Sequence, residues 1–293
     1  MLKQILWTAC VTPLNADSNQ IDYKSLENCL RLQENNNNGI LLLGSTGEGL
    51  SLTNNERQEL LQFACNLKLN SQIIVGVPSH NLYAATEWLE FCKDLPIQGY
   101  LMTTPIYTKP GVIGQTKWFE NLLNKVDRPA MLYNIPSRAG IRLHYETVKN
   151  LQQHHNFVSI KDSSGTVENI VEYQTAAPNI TVYCGDDYMM PALTAEGSVG
   201  LVSVVSNVWP AATRRYVEHC LTGGKIKSKV WWKACKALSV TSNPVPIKAL
   251  MHATKIIAHD TVRLPLSSDD LPTHKIFLDH HKAMMNWKTE DEQ

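Results

Sequence analysis

Apolar residues in this chain recur in short continuous blocks, without the strict alternation of half-exposed strands. The blocks are Leu6–Val11, Ile40–Leu43, Ile73–Val77, Gly99–Thr104, Ala130–Asn134, Phe157–Lys161, Ile180–Cys184 and Val199–Val205. Runs this short, bounded by Gly, Pro and Ser, predict strands covered on both faces. Helix-length segments separate them. One starts near Asp22, with Leu26, Cys29, Leu30 and Leu32 as its apolar positions, and Asn35-Asn36-Asn37-Asn38-Gly39 breaks it through turn and C-cap tendencies. Thr53-Asn54-Asn55-Glu56 is a capping box opening a helix through Leu67; further helices are expected over Tyr83–Cys92 and Trp118–Val126. Eight apolar strands alternating with helices predict an α/β chain, a (β/α)8 TIM barrel. No Gly-x-Gly-x-x-Gly follows a strand, which argues against a doubly wound sheet. After Gly223-Gly224 the alternation stops. Segments near Ile226–Ser239, Ile247–Ile257 and Pro272–Trp287 read as helices, the last introduced by Ser268-Asp269-Asp270. The expected organisation is a catalytic barrel over 1–224 and a C-terminal helical appendage over 225–293.

Composition narrows the field. A chain of 293 residues, 43% hydrophobic, can bury a large core. Its 27 basic and 27 acidic residues cancel, leaving no electrostatic footprint for nucleic acid or an acidic membrane. Seven scattered cysteines without a Cys-x-x-Cys pair point to reduced thiols and a cytoplasmic protein, not to disulfides or zinc. No apolar run approaches the ~18 residues that span a bilayer. Ile5–Cys10 follows a single charge, Lys3, and no small-x-small cleavage site succeeds it, so it reads as a first strand and not as a signal. His154-His155 and His280-His281 are adjacent pairs, not metal-ligand spacings on one helix face, and are expected to be solvated; no metal or other cofactor is expected.

Lys161 sits where a core strand ends at Asp162-Ser163-Ser164-Gly165. It could simply snorkel to solvent or pair with Asp162. It could also be an amine nucleophile. A free lysine is only about 0.04% unprotonated at pH 7, so imine chemistry needs burial or nearby charge. A depression of ~3 pKa units corresponds to ~4 kcal/mol of differential solvation. In a barrel the reactive groups lie at the carboxyl ends of the strands. Those ends here present Ser45 and Thr46, Tyr107, Tyr133 with Arg138 beyond it, Lys161, and Gly185-Asp186. Each has a structural reading as turn, rim or cap. Together, a lysine, two tyrosines, two hydroxyls and an arginine on one rim point to carbonyl chemistry.

Gly44-Ser45-Thr46-Gly47-Glu48, Tyr133-Asn134-Ile135-Pro136 and Ile160-Lys161-Asp162 resemble signatures of the pyruvate-dependent class I lyase family. Pro105-Ile106-Tyr107, Ser137-Arg138 and Asn243-Pro244-Val245-Pro246-Ile247-Lys248 tighten the resemblance, which runs from Thr12-Pro13 to Val262-Arg263-Leu264-Pro265. It implies that Lys161 forms an imine with pyruvate, whose carboxylate Thr46 and the backbone near Val202 hold, with Gly185 also lining the site. It implies that Tyr133 moves the proton, relayed through Ser45 and Tyr107, and that Arg138 receives the carboxylate of L-aspartate 4-semialdehyde. The condensation would open the diaminopimelate route to lysine. Ser45 stands where the family has threonine, keeping the hydroxyl but losing a methyl that restricts its rotamer. The resemblance also implies a homotetramer, a dimer of dimers with Tyr107 completing a neighbouring subunit's site. Sugar-acid members of the same family, N-acetylneuraminate lyase and 2-keto-3-deoxy-sugar-acid aldolases, are the alternative, and a non-catalytic pyruvate-binding barrel is remoter still. Where regulated members bind lysine, this chain aligns Ile106, Leu50, Asn54, Arg57 and Ala85, with Asn81 retaining an amide. An ammonium without a carboxylate partner is costly to desolvate, so lysine is expected to inhibit weakly or not at all.

Overall fold

A computed structural model describes residues 2–224, 228–272 and 275–287. Eight strands, β1 Leu6–Ala9, β2 Gly39–Leu42, β3 Ile73–Gly76, β4 Gly99–Thr103, β5 Ala130–Asn134, β6 Phe157–Asp162, β7 Thr181–Cys184 and β8 Leu201–Ser203, close into a barrel in chain order. All the strand pairings described are parallel, as βαβ crossovers require. Every residue of β1, β2, β3, β5 and β8 is buried, which is why the sequence shows continuous apolar blocks.

The strand positions follow the sequence reading, with shifts at the ends. β6 runs one residue past Lys161, to Asp162. β8 is shorter than the apolar block Val199–Val205, because the chain turns into a 3-10 helix over Val205–Asn207. Apolarity there reflects burial, which a strand and a buried turn share. Ser268–Asp270 is a 3-10 turn, and the helix that follows is Lys275–Met285, not one starting at Pro272. Of the expected helix near Ile226–Ser239, Ser228–Ala237 is seen; Ile226 and Lys227 lie outside the described residues, as does Lys225, where the appendage was expected to begin.

The chain packs as two compact units, one of Met1–Gln4 with Ile73–Val202, the other of Ile5–Gln72 with Ser203–Gln293. In the second unit, Asp22 caps the helix Tyr23–Glu34 by accepting from Ser25 N at 3.0 Å. Both halves of the Thr53–Glu56 capping box are present on the helix Asn54–Asn66. The asparagine run has a second purpose. Asn37 adopts the left-handed φ of 55° that ends the helix. Asn38 is fully buried and donates to Gln33 Oε1 at 3.0 Å, an oxygen that also accepts from Thr8 at 2.8 Å. Gly39 is needed for space: a Cβ there would lie 2.4 Å from the ring of buried Trp7. All seven cysteines are buried, and none is in a disulfide. No helix among the described residues is long and apolar enough to cross a membrane.

Candidate active site

In the unit containing 73–202, strand register places the lysine. β5 and β6 pair with Tyr133 opposite Lys161 and Asn134 opposite Asp162. Side chains alternate along a strand, so Lys161 and Tyr133 share one face while Asp162 and Asn134 share the other. Lys161 is 5% exposed, and its Nζ lies 4.2 Å from the centroid of the Tyr133 ring. Among the described residues no carboxylate comes within ion-pair distance of that amine. Asp162, the pairing partner the sequence offered for Lys161, is committed elsewhere. It accepts from Asn134 Nδ2 at 2.6 Å and Ser164 Oγ at 2.5 Å. Burial nevertheless pushes its carboxyl above the usual range.

Gly185 makes room for the lysine. A Cβ there would lie 3.0 Å from Lys161 Cε, 2.8 Å from Asp162 O and 2.0 Å from Ser163 Oγ. The next residue, Asp186, has its carboxyl pushed up to about 6, first by desolvation and then by Asp162 and Asp187, against the opposing pull of Lys161. Ser163, in the segment where the strand ends, brings its Oγ to 3.5 Å from the Tyr133 hydroxyl. Only the register of two strands 28 residues apart reveals it, so no local signal could have. Arg138 is exposed on the four-residue helix Pro136–Ala139, which Gly140 ends at a left-handed φ of 77°. Tyr107 is 90% exposed and itself held at φ 66°, with its N–H donating to Ala139 O at 3.1 Å. Val202 is wholly buried in β8.

Ser45 and Thr46 belong to the other unit, on the turn that follows β2. Gly47 and Gly49 let that turn fold back: a Cβ at Gly47 would lie 3.0 Å from Cys10 O, and one at Gly49 2.2 Å from Leu43 O. Thr46 is 4% exposed and accepts from Asn243 Nδ2 at 2.7 Å. Glu48, with a φ of 53°, forms a fully buried ion pair with Lys248 and accepts from Arg263 N at 2.9 Å. Lys248 also donates to Thr261 O at 2.8 Å. Burial holds its ammonium below the usual lysine range, and Glu48 opposes that shift. The histidine pairs are not simply solvated: His154 stacks on His155 with centroids 4.9 Å apart, and His281 Nδ1 accepts from Trp209 Nε1 at 3.0 Å.

A model of the Dihydrodipicolinate synthetase family matches residues 2–277. The 4-hydroxy-tetrahydrodipicolinate synthase of Wolbachia pipientis subsp. Culex pipiens (strain wPip) is 55% identical over 288 residues, 98% of each chain. The same enzyme of Wolbachia pipientis wMel is also 55% identical over 288 residues and 98% of each chain. The solved 4-hydroxy-tetrahydrodipicolinate synthase of Methylacidiphilum fumariolicum SolV superposes with a TM-score of 0.90 at 28% identity, covering 98% of this chain and 100% of that one. A closed parallel barrel, a buried lysine against a tyrosine ring at the end of its sixth strand, and likeness along almost the whole length agree: the chain belongs to the dihydrodipicolinate synthetase family.

Proposed function

We propose that this protein condenses pyruvate with L-aspartate 4-semialdehyde to give 4-hydroxy-tetrahydrodipicolinate, as a class I lyase working through a Schiff base. The observation that carries the reading is Lys161, buried and in no ion pair among the described residues, with its amine against the Tyr133 ring. Its amine adds to the keto carbon of pyruvate, and loss of water from the carbinolamine leaves the imine. Loss of a methyl proton gives the enamine, whose carbon attacks the aldehyde; the amine of the second substrate then closes the ring and releases Lys161. Tyr133 is the proton carrier, with Ser45 and Tyr107 as relay. Thr46 and the backbone at Val202 hold the pyruvate carboxylate, Gly185 leaves space for the imine, and Arg138 receives the second carboxylate. A barrel over 1–224 carries the chemistry, with 225–293 as a helical appendage.

The exposure of Tyr107, 90%, supports its use by a second copy of the chain in a dimer of dimers. Seven buried cysteines with no disulfide among them support a cytoplasmic setting. Side-by-side assays test the function. Pyruvate with aspartate semialdehyde should turn over, and N-acetylneuraminate should not be cleaved; the reverse preference would reassign the enzyme to the sugar-acid branch.

A further inference from the structure

Thr46 is the point where a buried polar group has an unmet demand. A threonine hydroxyl has one proton to donate and two lone pairs to accept with. Here one lone pair is occupied by Asn243 Nδ2 at 2.7 Å. At 4% exposure, the hydroxyl has no acceptor for its own proton among the described residues. A buried donor without an acceptor is costly, so this geometry suits an oxygen that arrives with a ligand.

The surroundings hold that polarity in place. Glu48 N donates to Ser45 O at 3.2 Å and Thr12 Oγ1 to Gly47 O at 2.7 Å, which fixes the turn on both sides of Thr46. Asn243 lies two residues before the helix Val245–Ala253, and Lys248 on that helix is the residue paired with Glu48. The turn is thus tied to the Asn243 segment twice, by an ion pair and by the amide itself.

We infer that Asn243 is a positioning residue that fixes the Thr46 hydroxyl as a donor toward the substrate carboxylate. This rests on the reading of Thr46 as the pyruvate carboxylate contact. With an amide N–H on the hydroxyl oxygen, the hydroxyl proton is left for an acceptor on the ligand. An acceptor at residue 243 would reverse it, drawing the Thr46 proton away and adding negative charge near the carboxylate.

The test is steady-state kinetics of the full chain with Asn243→Ala, Asn243→Asp and Thr46→Val, each checked for folding by circular dichroism. Asn243→Ala should raise the KM for pyruvate about tenfold, leaving kcat within about twofold and the KM for aspartate semialdehyde unchanged. Asn243→Asp should raise it further, to about a hundredfold, and that excess should shrink as pH falls and the new carboxyl takes up a proton. Equal penalties for Asn243→Ala and Asn243→Asp at every pH, or matching rises in KM for both substrates, would overturn the inference. If Asn243→Ala does not fold, the near-isosteric Asn243→Asp decides alone, through the pH dependence of its pyruvate KM relative to the unsubstituted enzyme. Thr46→Val separates the two levels. A raised pyruvate KM in Thr46→Val with unaffected Asn243 variants sinks only the positioning role. An unchanged KM in Thr46→Val sinks the carboxylate contact and the positioning role with it.

Discussion

Lys161 and Lys248 are both buried, in contrasting surroundings. Lys248 is held by Glu48 and the Thr261 carbonyl, which fix its charge and its position. Lys161 meets a tyrosine ring, and a glycine clears the space around its Cε. Borohydride added with pyruvate should therefore trap a covalent adduct on Lys161, read by peptide mass. Lys161→Ala should abolish trapping; an adduct that persists, or that maps to Lys248, contradicts the assignment. Asp186 gives a second test at this scale. Its carboxyl is raised from the ordinary 3.8 to about 6. Between those values the folded state keeps a proton that the unfolded state has lost, so this group lowers stability as pH rises from about 4 to 6. Asp186→Asn should melt higher than the unsubstituted protein at pH 7, with the difference vanishing below about pH 4. A difference independent of pH in a thermal melt would mean that this carboxyl is not held in that way.

Among the elements, β2 shows how a local signal can be right for an incomplete reason. Gly39 does follow the helix-breaking asparagines, yet its lack of a Cβ is required by Trp7 on the neighbouring strand β1. Gly39→Ala places a methyl 2.4 Å from a fully buried indole ring, which cannot swing away as a flexible side chain would. The expected cost is about 2–3 kcal/mol, seen as a lower urea midpoint at unchanged slope. An unshifted midpoint would show that the Trp7 pocket can yield. The turn carrying Ser45 and Thr46 leaves directly from β2, so activity should fall in parallel with stability in this variant.

Across the whole molecule, the Glu48–Lys248 pair joins residues 200 apart in sequence. Removing one partner strands a charge in the interior. Lys248→Met should cost about 3–5 kcal/mol, and adding Glu48→Gln should recover much of that, because the pair itself is close to energetically neutral against an uncharged replacement. Denaturation of the single and double variants measures it; additive losses would show that Glu48 is not the group left stranded. Regulation is tested at the same scale. Arg57 donates to Gly49 O at 2.8 Å and to Asn54 Oδ1 at 3.0 Å, and Asn81 Oδ1 caps a helix by accepting from Ala84 N at 3.1 Å. Ala85 and Ile106 offer no polar side chain to a lysine ligand. Activity should persist at millimolar L-lysine with both substrates saturating, and strong inhibition below that concentration would reverse this expectation.

Features whose causes are local could be read from the residues alone. Continuous apolar blocks predicted strands covered on both faces, the Thr53–Glu56 spacing predicted a capping box, and Lys161 stood out as a charge at the end of a core strand. The sequence also held the motifs that resemble the lyase family, because those are short and fixed in spacing. Pairings between distant segments came from the fold: Tyr133 beneath Lys161, Asp162 turned to Asn134, Gly39 beside Trp7, Asn243 on Thr46 and Lys248 on Glu48. Sequence periodicity records which face of an element is buried, whereas a hydrogen-bond partner depends on strand register and on where a later helix returns. Those are set only when the whole chain has closed.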